Sequence, residues 1–365
     1  MRFFIFVFLL SLVSSGLSSA VNAVPPATPK NIILFIGDGM GLSQISAAKI
    51  VSGQLNVERF KHIGLLTTHS YSDLVTDSAA SATAMATGYK TSNKMLSISA
   101  DGKVLKTVIE YAQENNKATG LVATSSITHA TPAAFVAHVN SRKEHSLIAE
   151  QITQSGVDVL LGGGWGYFVP STTADSIRWD NKNLLAQLAL TTTVIQTEQE
   201  LNSLGEVNSL VGLFSVQHLP KAAQRKPSLS RLTKKAIEIL AKNSNGFLLM
   251  VEGSQIDWGG HENDQDYVIS ELMDLDKSIG IGLDFAESDQ QTLVIVTADH
   301  ETGGFAIHDG SLQDKQVTAS EFTRTKHTAT MVPVFAYGPG ASDFSGIGDN
   351  TRIGKNIIRF LKANE

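Results

Sequence analysis

The sequence predicts an α/β fold: a three-layer α/β/α sandwich around a central, mostly parallel sheet, with a metal site at the carboxyl ends of the strands. Three observations carry this expectation. Apolar runs such as Ile32-Ile33-Leu34-Phe35-Ile36 show no alternation, as strands buried on both faces of a parallel sheet require. These runs alternate with segments of helical spacing, the order that builds strand–helix–strand units. Three of the runs end in acids, namely Asp38, Glu252, and Asp299 followed by His300. In open α/β sheets the functional crevice lies beyond those ends.

The chain has 365 residues. Residues 1–23 open with Met1-Arg2 and an apolar run from Phe3 to Leu10 that fades into serines. That run falls short of the roughly 20 residues that span a bilayer. Small residues at Val21-Asn22-Ala23 then offer a cleavage point, and cleavage after Ala20 serves as well. The segment reads as a signal peptide, with export to a periplasm or beyond and no membrane anchor after cleavage. The chain lacks cysteine, so no disulfide supports it and a hydrophobic core must. A formal charge of −6 argues against a nucleic-acid-binding surface.

Residues 24–365 read as one domain. A strand at 31–36 is broken by Gly37-Asp38-Gly39-Met40-Gly41, and 42–51 is helical. Helical spacing over 104–115 leads to a strand at 119–124. A helix at 147–154 precedes a strand at 157–161, stopped by Gly162-Gly163-Gly164. A helix at 229–241 leads to a strand at 247–251, and a long helix at 267–285 to a strand at 292–297. The last strand, 332–337, is closed by a helix at 355–362. Residues 165–226 are weakly patterned and contain Pro170 and Pro220, which suggests surface structure at a sheet edge.

Leu74-Val75-Thr76 reads as a strand exit into Asp77-Ser78-Ala79-Ala80-Ser81-Ala82, a helix start built of small residues. Side-chain oxygens and backbone N–H groups converge at such a start, which suits an anion and makes Ser78 a candidate nucleophile. The simpler reading is that Asp77 or Ser78 only caps the helix. Asp38, Glu252 and Asp299 at one sheet edge would repel each other unless cations or protons intervene, and the nearby histidines favour borderline metals. Asp257 and His261, four apart, share one face of a helical turn, and His327 could complete a three-ligand zinc site. His62, His69, His145, His218 and His308 lack such context and read as surface or core residues.

Five ordered segments, from Ile36-Gly37-Asp38-Gly39-Met40-Gly41 through Thr76-Asp77-Ser78-Ala79, His129-Ala130-Thr131-Pro132 and Val251-Glu252-Gly253-Ser254 to Thr297-Ala298-Asp299-His300-Glu301-Thr302-Gly303-Gly304, resemble bacterial secreted alkaline phosphatases. The resemblance implies a phosphate monoester hydrolase with an alkaline optimum, working as a homodimer through a phosphoserine on Ser78. It implies that Arg142 clamps the phosphate. Asp257, His261 and His327 would hold one zinc, and Asp38, Asp299 and His300 a second. Asp38, Thr131 and Glu252 would hold magnesium. His129 and Trp258 stand where the best-known enteric enzyme has aspartate and lysine, near the third metal and the phosphate, which bears on both. Residues 307–326 would be a short counterpart of the crown insert of some relatives. Diesterases and sulfatases share the metal frame, but Ser78 with Arg142 favours monoesters, and a sulfatase would need a cysteine. A secreted binding protein that has lost catalysis is the alternative of another class.

Overall fold

The computed structural model describes residues 28–363, so the expected signal peptide lies outside the described residues. In chain order the strands are β1 (Asn31–Gly37), β2 (His62–Thr67), β3 (Ala118–Ser126), β4 (Val159–Gly163), β5 (Thr193–Ile195), β6 (Leu210–Leu213), β7 (Phe247–Gly253), β8 (Thr292–Ala298), β9 (Glu301–Thr302), β10 (Phe305–Ser311), β11 (Gln316–Phe322), β12 (His327–Thr328), β13 (Val332–Tyr337) and β14 (Gly346–Asp349). Among the described residues ten of them form one sheet in the order β14-β2-β13-β8-β1-β7-β3-β4-β6-β5. Its neighbours pair in parallel except at β13, which runs antiparallel to both β8 and β2. The expected mostly parallel sheet is therefore present.

Every residue of β1, β3, β7 and β8 is buried, because helices cover both faces and leave no side of these strands to water. Helices Leu42–Ser52 and Leu229–Leu240 each pack on helix Gln265–Asp289, forming one group. Helices Ser78–Thr87, Val108–Glu114 and Thr351–Lys362 pack in another. All ten residues of Ser78–Thr87 are buried. Its small side chains let helix Thr351–Lys362 come so close at Gly354 that a Cβ there would lie 2.4 Å from the Gly88 nitrogen.

The order β8-β1-β7-β3 puts four carboxyl ends side by side. In register, Ile36 of β1 lies between Glu252 of β7 and Thr297 of β8, and Glu252 also faces Ala123 of β3. The small ladder β9–β12 pairs Thr302 with His327 and Glu301 with Thr328, which returns His327 to the Asp299-His300 turn. Residues 305–322 form the antiparallel hairpin β10–β11.

Several boundaries differ from the sequence reading. Leu74-Val75-Thr76 is not a strand; Leu74 is exposed, and the segment is held by local bonds such as Ser70 N–H to Asp73 O and Asn93 Nδ2 to Val75 O. Such side-chain bonds compete with a ladder. The helix expected over 104–115 starts at Val108, because Thr107 and Glu110 form a capping box. The strand expected at 157–161 runs over Val159–Gly163. Strand β2 was not apparent from the sequence.

Candidate active site and metal centre

Asp77 caps helix Ser78–Thr87 by accepting a hydrogen bond from the Ala80 N–H, so the capping reading holds for Asp77. That cap leaves Ser78 at the first helical position, 2% exposed, with Oγ 3.4 Å from His300 Nε2. The same imidazole nitrogen lies 3.1 Å from Asp299 Oδ2 and 3.5 Å from Asp38 Oδ1. Gly39 makes this convergence possible: with φ +76°, it passes so close to Asp257 that a Cβ would sit 2.6 Å from the Asp257 Cα.

Three groups of potential ligand atoms lie within 4.8 Å of one another: Asp257, His261 and His327; Asp38, Asp299 and His300; and Asp38, His129 and Glu252. In the first, His261 Nε2 is 3.3 Å from Asp257 Oδ2 and 3.2 Å from His327 Nε2. The Nδ1 atoms of His261 and His327 lie 2.7 and 2.9 Å from the Thr325 and Thr76 carbonyl oxygens. Carbonyls can only accept, so in each neutral ring the proton sits on Nδ1 and Nε2 keeps its lone pair for a metal.

The acids behave as burial among like charges dictates. Burial and the Asp299 charge hold the Asp38 carboxyl well above its usual range, and burial pushes Glu252 up to about 7. Burial also opposes ionisation of Asp257 and Asp299, but histidine neighbours outweigh it and lower both. The hydrogen bond to Asp257 raises His261 to about 9, whereas burial and the His300 charge bring His327 down to about 4. Apart from the ion-pair contacts to His300, both carboxylate oxygens of Asp38, Asp299 Oδ2, Glu252 Oε1 and the Thr131 hydroxyl are buried without a hydrogen-bond partner. Orphaned oxygens at this density are costly unless cations face them, so the residues fit bound metals.

Arg142 Nη1 lies 3.2 Å from Asp77 Oδ2, and Nη2 is 3.2 Å from His129 Nε2. A guanidinium only donates, so His129 Nε2 accepts and the proton of the neutral ring sits on Nδ1. Trp258 meets His129 edge to face at 6.2 Å. The sequence reading missed His218, which packs on Trp258 at 4.7 Å while its Nδ1 accepts from the Ser126 N–H at 3.0 Å. Nothing in its sequence context signals this, since it lies in the weakly patterned segment. It also gave no role to Glu301, whose carboxylate accepts from Gln44 Nε2 and from the N–H groups of Gly304 and Phe305. Its place directly after Asp299-His300 was the available signal.

A family model described as alkaline phosphatase matches residues 29–321. The chain belongs to the alkaline phosphatase family. Among family members, alkaline phosphatase 3 of Bacillus subtilis is 34% identical over 92% of this chain and 89% of its own length. The solved structure of alkaline phosphatase from the Antarctic bacterium TAB5 superposes with a TM-score of 0.83 at 42% identity, covering 92% of this chain and 98% of that one. A variant of the TAB5 enzyme with a histidine replaced by aspartate, with Mg bound in its M3 site, gives 0.82 at 41% identity over 92% and 99%. Alkaline phosphatase membership makes this chain a phosphoric monoester hydrolase with metal cofactors, and its three ligand groups lie where the acids of β1, β7 and β8 converge. No helix among the described residues is long and apolar enough to cross a membrane.

Proposed function

We propose that the chain hydrolyses phosphate monoesters through a phosphoserine on Ser78, with Arg142 as the phosphate clamp. The observation that carries this is the convergence of Ser78, Asp38 and Asp299 on the same nitrogen of His300. A serine relay would place its acid on the opposite ring nitrogen; here that atom, Nδ1, lies 3.2 Å from the Thr302 hydroxyl. The pattern suits a cation among these groups better than a proton relay.

Asp257, His261 and His327 would hold one zinc, Asp38, Asp299 and His300 another, and Asp38, Thr131 and Glu252 magnesium. Bound there, the ions would supply Lewis-acid activation of the hydroxyl and neutralise phosphoryl charge. His129 stands beside Asp38 and Glu252 in the third group, with its Nδ1 buried and without a hydrogen-bond partner; the TAB5 variant, with aspartate for a histidine, has Mg in its M3 site. Trp258 and His218 pack on His129 and on each other, and would wall this side of a bound phosphate.

Ser78 Oγ attacks phosphorus, the alcohol departs in line, and Arg142 neutralises the phosphoryl oxygens, since this chemistry depends mainly on positioning and charge. The Ser78 hydroxyl proton leaves on the departing alcohol; water then attacks the phosphoserine from the side opposite the serine oxygen, gives a proton to that oxygen and releases inorganic phosphate. Two inversions give net retention at phosphorus. Ser78→Ala, loaded with metal, is expected to lose at least about a thousandfold in turnover of a chromogenic monoester at alkaline pH while keeping its metal content. Near-normal turnover by that variant would overturn the assignment. A monoester should also be preferred to a diester, since Arg142 rewards the extra charged oxygen.

The same reading takes residues 1–23 as a signal peptide and the product as an exported homodimer. It takes residues 24–365 as one domain, in which hairpin β10–β11 is the small crown-like insert.

A further inference from the structure

Trp179 is 83% exposed, yet the backbone that carries it is firmly held. Its neighbour Arg178 is buried and donates to Asp180 at 2.6 and 2.7 Å, to Glu150 at 2.9 Å, and to the carbonyls of Ser146 and Tyr167 at 3.1 Å. These bonds fasten the Trp179 segment to helix His145–Gln154 and to the turn at Tyr167. Between them lies a groove of about 470 Å³ walled by Trp179, Tyr167, Ile177, Leu147 and His145 and edged by the charged Lys143, Glu144 and Glu150. The His145 ring stacks on Tyr167 at 4.8 Å and 24°. A lone exposed indole needs no explanation, but one mounted on a fixed wall of an apolar groove is a preformed stacking surface.

The groove begins one residue beyond the phosphate clamp in the chain, at Lys143, which follows Arg142. Ser78 is buried, Arg142 is partly exposed, and the chain after Arg142 passes through the exposed Lys143 into the His145 wall. His145 Nδ1 is 3.2 Å from the Thr128 hydroxyl, and the next residue, His129, contacts Arg142. Clamp and groove thus lie on one chain segment, Arg142 to Leu147, and Thr128-His129 touches both.

We propose that this groove is a subsite for the alcohol portion of the substrate and favours monoesters whose alcohol carries a planar aromatic or heteroaromatic ring, the class that includes nucleoside monophosphates. The inference rests on Ser78 and Arg142 acting as described above. Trp179 supplies the stacking face, which tolerates any flat ring because every such ring has a π face. The volume matches a nucleoside-sized group rather than a small polyol.

The alcohol leaves when the phosphoserine forms, so its contacts appear in kcat/KM. With metal-loaded enzyme, Trp179→Ala is expected to lower kcat/KM for adenosine monophosphate about fivefold and to leave that for glycerol phosphate within about twofold. Trp179→Phe should restore most of the loss. Equal effects on both substrates, no effect on either, or a change confined to the association state of the protein would each overturn the subsite. If the wild-type enzyme turns over neither substrate, it is the reading of Ser78 and Arg142 that fails. The groove is then judged separately by whether adenosine quenches tryptophan fluorescence in wild type and not in Trp179→Phe; absence of that difference also overturns it.

Discussion

Glu301 shows how one buried side chain sets the geometry of several ligands. Its carboxylate ties Gln44 of helix Leu42–Ser52, the turn at Gly304 and Phe305, and the Thr328 hydroxyl next to His327. Removing it strands at least two backbone N–H groups and loosens the strand that carries His327, so the cost falls on metal retention. Glu301→Ala is expected to weaken zinc binding about 10- to 100-fold, read by competition with a chromophoric chelator. An affinity equal to wild type would show that His327 is positioned by Thr76 and the backbone alone. Asp77 works on the same scale: one carboxylate caps a helix, accepts from the Lys94 N–H and orients Arg142. The sequence offered it only as a cap, because the partner that gives it a second task is 65 residues away.

Among the elements, helix Ser78–Thr87 depends on close approach. A polar-faced helix could sit at the surface, but this one is buried along its whole length and must press its alanines and threonines against neighbours. Gly354 is where helix Thr351–Lys362 crosses it. A methyl group there meets backbone atoms of Gly88 and Met85 at 2.4 and 2.8 Å, which cannot turn aside as a side chain would. Gly354→Ala is expected to cost about 1–3 kcal/mol, seen as a lower denaturation midpoint. Turnover of the surviving folded protein should fall as well, since the same shift tilts the helix that presents Ser78. An unchanged midpoint would mean that the two helices separate freely, contrary to this packing.

At the scale of the whole molecule, the sheet assembles buried acids and histidines whose protonation opposes folding without metal. Above about pH 7.5, His327 and His129, both lowered by burial, are neutral in the folded and the unfolded chain and contribute little. Glu252, raised to about 7, Asp38, raised well above its usual range, and His261, raised to about 9, bind more protons in the folded chain than in the unfolded one. Stability of the metal-free protein is therefore expected to fall as pH rises from about 7.5 to 9. Chemical denaturation of chelator-treated protein across that range checks this, and rising stability would contradict it. Restoring metal should raise the midpoint most at the alkaline end, because the ion replaces the lost protons.

The sequence by itself determined the layering and the ligand types. Unalternating apolar runs have few ways to be buried except as central parallel strands, and acids placed just after them must gather at one edge. Asp38, Glu252, Asp299 and His300 were legible as candidates for that reason, Asp257 and His261 from their four-residue spacing, His327 from its place ahead of a buried strand, and Ser78 from a small-residue helix start. Only the tertiary structure decided the strand order that made β8, β1, β7 and β3 neighbours, and with it which acids stand close to one another. It also decided the roles of Asp77, His218 and Glu301, and the groove at Trp179. These depend on contacts between segments far apart in the chain, in stretches whose local pattern carries no periodicity, and neither propensity nor spacing encodes such contacts.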